Sequence, residues 1–169
     1  MHAFGLFFKL CRLQLRPHQL PYSYTSLLIQ SLLYMLISMV SALIVFSVKD
    51  AWLYGVLDMS LQIILVSSLL AVMEYQRRIV QTLIALFGAN NLLSVLMLPT
   101  NYFSYQNHTV DNLEGFADVL LLALFLWLII VTAHIMRHAV GGSRLIGLMI
   151  AFLISMFSGM VLQQVFPQG

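Results

Sequence analysis

The amino-acid sequence predicts an all-α fold: an integral membrane bundle of five transmembrane helices with a short N-terminal interfacial amphipathic helix. Three observations support this fold class: the composition, the length of the apolar runs, and the positions of the basic residues. Of the 169 residues, 61% are hydrophobic and only 8% are charged, with a mean hydropathy of +0.94. Because a soluble domain carries about 25% charged residues, a chain of this composition needs lipid around most of its surface.

Five apolar runs are close to the length of about 20 residues that a helix needs to cross the hydrocarbon layer. They cover residues 23–48, 52–74, 79–98, 116–136 and 145–166 of a single membrane domain, 1–169. The runs lack the alternation of barrel strands, which favours helices. The third run is interrupted by polar residues and by Gly88. A broken or tilted third span is therefore an alternative, and four crossings would move the C-terminus to the other side.

The basic residues indicate an orientation for the five spans. With a cytoplasmic N-terminus, seven of the eight fall on the cytoplasmic side: Lys9, Arg12, Arg16, Arg77, Arg78, Arg137 and Arg144. Only Lys49 falls outside, near Asp50. This is the positive-inside pattern, and it predicts an external C-terminus. The net charge of +2 thus reflects topology, and no nucleic-acid partner is expected.

The N-terminal residues 2–16 predict the interfacial helix. Apolar residues recur at helical spacing on one face, namely Phe4, Phe7, Phe8, Cys11 and Leu15. The basic side chains share a flank, so the helix is expected in the cytoplasmic interface with these groups toward anionic headgroups. Cys11 is the only cysteine, which excludes an intrachain disulfide and a cysteine-based metal site. It is either palmitoylated or simply packed, and the sequence favours packing.

Polar residues inside the predicted spans are costly, and four of them stand out as a group. Asp58 and Gln62 share one face of the second span, and Asn90 and Asn91 lie near the middle of the antiparallel third span. They are expected at similar depth. One interpretation is a polar site with a proton- or ion-responsive carboxylate. The other, which is favoured, is interhelical hydrogen bonding that fixes packing, worth roughly 0.6 kcal/mol per contact and at most about 2 kcal/mol.

His134 and His138 lie four residues apart at the inner end of the fourth span, a spacing that can bind a metal or haem iron. Third ligands would be Glu74 or His18. The alternative is a pair of interfacial histidines near headgroups, and no metal or cofactor is predicted. The sequence lacks Gly-x-Ser-x-Gly, His-Glu-x-x-His and a phosphate-binding glycine loop. It is therefore interpreted as non-enzymatic.

Several local features resemble one family. A basic connector at 74–78, Glu-Tyr-Gln-Arg-Arg, leads into the third span, Trp127 precedes His134, and 141–144, Gly-Gly-Ser-Arg, links the last two spans. Over about residues 23–166 the chain resembles the bacterial branch of the Yip1-domain membrane proteins. It lacks the longer N-terminus with an Asp-Leu-Tyr-Gly-Pro-type stretch of eukaryotic members. The resemblance implies a membrane protein with no defined activity, and no functional residue carries over.

The predicted function is that of a membrane scaffold in the bacterial inner membrane, which binds partners or organises lipid. Its partners would be the lipid bilayer and either a membrane protein or further copies of itself. The alternative is an oligomeric transporter or permeation subunit that uses Asp58, Gln62, Asn90 and Asn91. Since five helices are few for alternating access, such a transporter would need a homo-oligomer.

Overall fold

The computed structural model describes residues 3–15, 17, 20, 22–106 and 111–167. Within them the chain forms six α-helices and one 3-10 turn, Gln76–Arg78, and contains no β-strand. The helices are α1 (Ala3–Cys11), α2 (Tyr24–Ala42), α3 (Val48–Val72), α4 (Ile79–Gln106), α5 (Asp111–Val140) and α6 (Arg144–Val165). Helices α2 to α6 are long and apolar enough to cross a membrane. The predicted all-α bundle of five spans is confirmed.

The five spans form a closed ring of neighbouring helices, and their order around the ring differs from their order along the chain. Each contacts the next in the sequence α2, α3, α6, α5, α4, and α4 returns to α2. Helix α1 packs on α4 as well. As a result, 61% of the most apolar stretch of α4 is buried, against 11–28% for the other four spans. Helix α4 is therefore the core of the bundle.

The third span is one unbroken helix of 28 residues, about 42 Å long at 1.5 Å per residue. The broken-span alternative does not apply, and the expected end at Pro99 is wrong because the helix continues to Gln106. Proline removes a backbone donor, but neighbours hold the segment beyond it. The Thr100 hydroxyl donates to the Met97 carbonyl at 2.7 Å, and Asn101 donates to Ser41 of α2 at 3.3 Å.

The boundary between the first two spans also differs from the expectation of 23–48 and 52–74. Helix α2 ends at Ala42, and α3 begins at Val48. Ser47 explains the early start, since its side chain accepts the Asp50 backbone N–H and so caps the helix. The Asp50 carboxylate adds a favourable negative charge in the first turn.

The loops and hydrogen bonds define two ends of the bundle. The basic end holds the α3–α4 and α5–α6 connections, where Gly141 ends α5 in the left-handed region (φ 71°) and Ser143 caps α6. Gln81 of α4 donates to the Leu20 carbonyl at this end. The opposite end holds the α2–α3 connection, where Phe46, Tyr54 and Phe166 form one aromatic cluster.

Helix α1 is present as a separate element, and its packing goes beyond the expected interfacial position. The ring of Phe7 occupies the space beside Gly88, where a Cβ would overlap it. Leu10 is fully buried, and the Cys11 thiol donates to the Ala89 carbonyl at 3.9 Å. Lys9 and Arg12 of the basic flank remain exposed. The apolar face of α1 is thus used for docking on the middle of α4, a contact that the amphipathic pattern does not reveal.

Candidate functional site

Asp58 is a buried carboxylate held by two hydroxyl groups from α2. It lies ten residues into α3, about 15 Å along the helix, and is 8% exposed. The hydroxyls of Tyr34 and Ser38 donate to the same oxygen, Oδ2, at 2.8 and 2.7 Å. Because a buried carboxylate is costly unless hydrogen bonds satisfy it, these two donors account for its tolerance inside the bundle.

Gly55 brings α3 close enough to α2 for these hydrogen bonds. A Cβ at this position would lie 2.8 Å from the Met35 carbonyl oxygen and 3.3 Å from the Met39 Cβ. Gly55 precedes Asp58 by three residues and so lies on nearly the same face of α3. Small residues at such crossings let helix backbones approach closely in membranes.

Asn91 makes a second polar contact with α2. Its amide nitrogen donates to the Gln30 carbonyl at 3.0 Å and to the Gln30 Oε1 at 2.9 Å. Its own Oδ1 is buried and has no hydrogen-bond partner among the residues that the structure describes. Gln30 lies one turn before Tyr34, which in turn packs on Phe87 of α4 with ring centroids 5.1 Å apart.

These contacts form one line of polar groups through the bundle, here called the polar seam: Gln30, Tyr34, Ser38, Asp58 and Asn91. Helix α2 supplies three members at a spacing of four residues, so they share one face. The seam therefore joins α2 to α3 at one level and to α4 at another.

The structure shows no hydrogen bond among the four polar residues that the sequence groups together. Asp58 and Asn91 each bind α2 and make no hydrogen bond to each other. Gln62 is half-buried and Asn90 is buried, and neither side chain has a hydrogen-bond partner in the part of the chain that the structure describes. The α2 partners escaped sequence reasoning, although the four-residue spacing of Gln30, Tyr34 and Ser38 was a usable signal.

A partly open cavity of about 640 Å³ lies at the end of the bundle opposite the basic end. Its lining includes Ser41, Tyr54, Asn101, Ser104, Gln163 and Phe166. Tyr54 lies one turn before Asp58 on α3, and Ser41 follows Ser38 on α2. Polar side chains thus continue from the polar seam to this cavity.

The two histidines lie side by side near the basic end of α5, with ring centroids 4.6 Å apart. The Nε2 of His134 donates to the Leu15 carbonyl at 3.1 Å, which ties the segment after α1 to α5. Glu74 is exposed in the α3–α4 connector, and His18 lies outside the described residues. Across the described ranges, no group of three or more His, Cys, Asp or Glu side chains could hold a metal ion.

One of the predicted basic residues has a structural role. Arg78 donates to the Ala139 carbonyl at 2.8 Å, at the C-terminal end of α5, and its guanidinium lies 4.9 Å from the centre of the Tyr75 ring. The other described members of the set make neither an ion pair nor a side-chain hydrogen bond with any described residue: Lys9, Arg12, Arg77, Arg137 and Arg144. Arg16 lies outside the described residues. These cations are therefore available to an external anion.

The fold and its apolar helices define the chain as an integral membrane protein. No family model, curated protein or solved structure matches it.

Proposed function

We propose that this is a non-enzymatic scaffold of the bacterial inner membrane that binds membrane partners and organises lipid, of the kind that the Yip1-like features suggest. The observation that carries the proposal is the set of unpaired cations described above. Five basic side chains without an anionic partner among the described residues belong to elements that meet in one half of the bundle. The positive-inside rule favours the cytoplasm for that half, where anionic headgroups and acidic protein surfaces are the available counter-charges.

Charge-neutral variants can test partner binding. The triple variant Lys9→Gln, Arg12→Gln, Arg77→Gln removes three exposed cations and keeps Arg78, which supports α5. Lys49→Gln is the matched control, because it neutralises the one lysine of the opposite end. Each would be purified gently from its native membrane and analysed by crosslinking and mass spectrometry.

The expected result is a stoichiometric membrane partner that wild type and Lys49→Gln retain and the triple variant loses. Retention of the partner by the triple variant would contradict the proposed surface. Recovery of a pure homo-oligomer without any partner would favour transport instead. Protease accessibility of terminal tags would verify that the triple variant keeps its orientation, since loop charges also direct topology.

A second candidate function is ion or proton permeation through an oligomer. The observation that favours it is the polar-lined cavity, whose Tyr54 lies one turn from the buried Asp58 carboxylate. In proteoliposomes with an internal pH-sensitive dye, Asp58→Asn would abolish potential-driven proton uptake. Asp50→Asn is the control, because Asp50 is an exposed carboxylate on the same helix. Equal uptake by wild type and Asp58→Asn, or none by either, would exclude proton movement through Asp58.

A further inference from the structure

A second cavity lies between α5 and α6 at the basic end and has a different chemistry from the polar seam. Its volume is about 710 Å³. This cavity is here called the basic cleft, and its lining includes Leu13, Ile130, Arg137, Arg144, Leu145 and Leu148. Two cations and several aliphatic side chains therefore face one space.

The two arginines are placed together by the turn between α5 and α6. Arg137 belongs to the last turn of α5, and Arg144 is the first residue of α6. Neither guanidinium has an ion pair or hydrogen bond within the described chain. Two like charges in one cleft repel each other unless an anion lies between them. A guanidinium presents a planar fork of donors that matches phosphate oxygens.

The wall of the cleft is apolar and extends away from the arginines. Leu145 and Leu148 follow Arg144 along α6, and all of these side chains are exposed. Ile130 precedes Arg137 by seven residues, which corresponds to about 10 Å along α5. A charged mouth followed by an aliphatic wall of this length matches the headgroup and the upper acyl chain of a phospholipid.

The floor of the cleft is held by close packing. A Cβ added at Gly147 of α6 would overlap the Ala133 carbonyl oxygen and would lie 2.7 Å from the Cβ of Arg137. Ile129, Ala133 and Ala151 form a small buried cluster between the same helices. The stem of Arg137 is thus fixed by the helix crossing, and its guanidinium is presented to the cleft in advance of binding.

The N-terminal segment closes one side of the cleft. Leu13 lines it and adopts a positive φ of 61°, which is unusual for a leucine. Two residues later, the Leu15 carbonyl accepts the hydrogen bond from His134, itself a lining residue. The cleft therefore includes a residue from the segment that follows α1, as well as residues from α5 and α6.

We propose that the basic cleft binds one anionic phospholipid, with its phosphate between Arg137 and Arg144 and an acyl chain along Ile130, Leu145 and Leu148. A phospholipid is favoured over an acidic peptide because the wall is aliphatic and belongs to two membrane spans, so lipid surrounds it at high local concentration. Basic pockets between spans at the cytoplasmic boundary bind lipid headgroups in this way. The inference rests on the lipid-organising part of the proposed function, but it uses different residues from the partner-binding test.

Native mass spectrometry can test the inference on the full chain. The protein would be equilibrated in micelles with equal amounts of phosphatidylglycerol and phosphatidylcholine, which share acyl chains and differ in net charge. Wild type is expected to retain one phosphatidylglycerol. The double variant Arg137→Gln, Arg144→Gln should lose about 30-fold in retention, since each cation near an anionic surface contributes about fivefold.

Two controls distinguish lipid binding through the headgroup from binding through the acyl chain and from a general effect of protein charge. Lys49→Gln removes one cation at the opposite end of the bundle and should retain phosphatidylglycerol as wild type does. Leu148→Trp keeps both arginines and fills part of the apolar wall, so it should also weaken retention. If the double variant does not fold, the single variant Arg144→Gln, at an exposed position, gives the same test with a fivefold loss.

Four outcomes would overturn the inference. Equal retention of the two lipids by wild type would show that the arginines do not select charge. Unchanged retention in Arg144→Gln and Leu148→Trp would place the lipid elsewhere. Displacement of the lipid by inorganic phosphate would identify a simple anion site. A mass equal to two chains, which the arginine variants convert to the mass of one, would identify a second copy of the chain as the occupant. Loss of the protein partner in the triple variant with normal lipid retention would keep the two proposals distinct.

Discussion

The polar seam and the basic cleft place polar side chains in opposite situations. In the polar seam, Asp58 has two hydroxyl donors, and Asn91 has two acceptors on Gln30. In the basic cleft, Arg137 and Arg144 have no partner among the described residues. Helices α2, α3 and α4 are thus joined by internal hydrogen bonds. The α5–α6 pair is joined by close packing instead, and its charges remain available to an anion outside the chain.

The largest expected effect comes from breaking the close packing of α5 and α6. Gly147→Ala forces a methyl group against the Ala133 carbonyl and should lower the free energy of unfolding by about 2 kcal/mol. Gly159→Ala is the matched control on the same helix, because no atom of another described helix lies within 4 Å of its added Cβ. It should stabilise by up to about 1 kcal/mol, since alanine is the better helix former. Unfolding in mixed micelles with increasing dodecyl sulfate measures both, and equal effects would refute the packing argument.

The next effect tests the hydrogen bonds of the polar seam. Tyr34→Phe removes one of two donors to a buried carboxylate and should cost about 1–2 kcal/mol. Tyr22→Phe removes a hydroxyl whose only hydrogen-bond partner among the described residues is the exposed Tyr24, so it should cost less than about 0.5 kcal/mol. The same micelle unfolding applies, and a double-mutant cycle with Asp58→Asn isolates the pair. A coupling near zero would mean that the Tyr34 hydroxyl does not support Asp58.

A smaller effect is expected at Asn91. Asn91→Leu loses two hydrogen bonds but also removes an Oδ1 that is buried without a partner in the described part of the chain. The two changes oppose each other, so the net loss should be near the average interhelical value of about 0.6 kcal/mol. A loss above about 2 kcal/mol in the same unfolding measurement would show that Asn91 is a principal contact between α2 and α4.

The reactivity of the Cys11 thiol tests whether α1 is packed against the rest of the bundle. Burial raises the pKa of this thiol from 9.0 to about 11. Since the thiolate is the reactive form, maleimide labelling of the folded protein should be slow at neutral pH and accelerate toward pH 11. A folded pKa above the unfolded one means that this group's contribution to stability is complete below pH 9 and is lost as the pH rises to about 11. Labelling as fast as in dodecyl sulfate would show an undocked α1.

Composition and charge predicted the class and the number of spans because the length of apolar runs is imposed by the bilayer. Span ends were less predictable, since they depend on single contacts. Ser47 begins α3 by capping it, and the Asn101–Ser41 hydrogen bond supports the helix beyond Pro99. The periodicity of apolar residues indicates neither contact. The Ser47 cap depends on the local backbone conformation, and the Asn101–Ser41 hydrogen bond depends on a neighbouring helix.

The candidate site was predictable only in part for a related reason. Asp58 and Asn91 stand out in any apolar run because their burial is costly. Their partners stand out less, because the four-residue spacing of Gln30, Tyr34 and Ser38 indicates a shared helix face but such residues are common near a helix face. The pairing of α2 with both α3 and α4 is what assigns Gln30, Tyr34 and Ser38 to these polar groups. That pairing is a property of the helix order around the bundle, which the order along the chain does not specify.

The docking of α1 has a consequence for the order of events during biosynthesis. The Cys11 thiol meets the Ala89 carbonyl, 78 residues further along the chain. At a synthesis rate of about 5–20 residues per second, α1 leaves the ribosome roughly 4–16 s before its binding surface exists. The contact of Leu15 with His134 spans 119 residues and needs α5 as well. Helix α1, which is made before α2 to α6, must therefore wait at the membrane and be among the last of these helices to reach its final place.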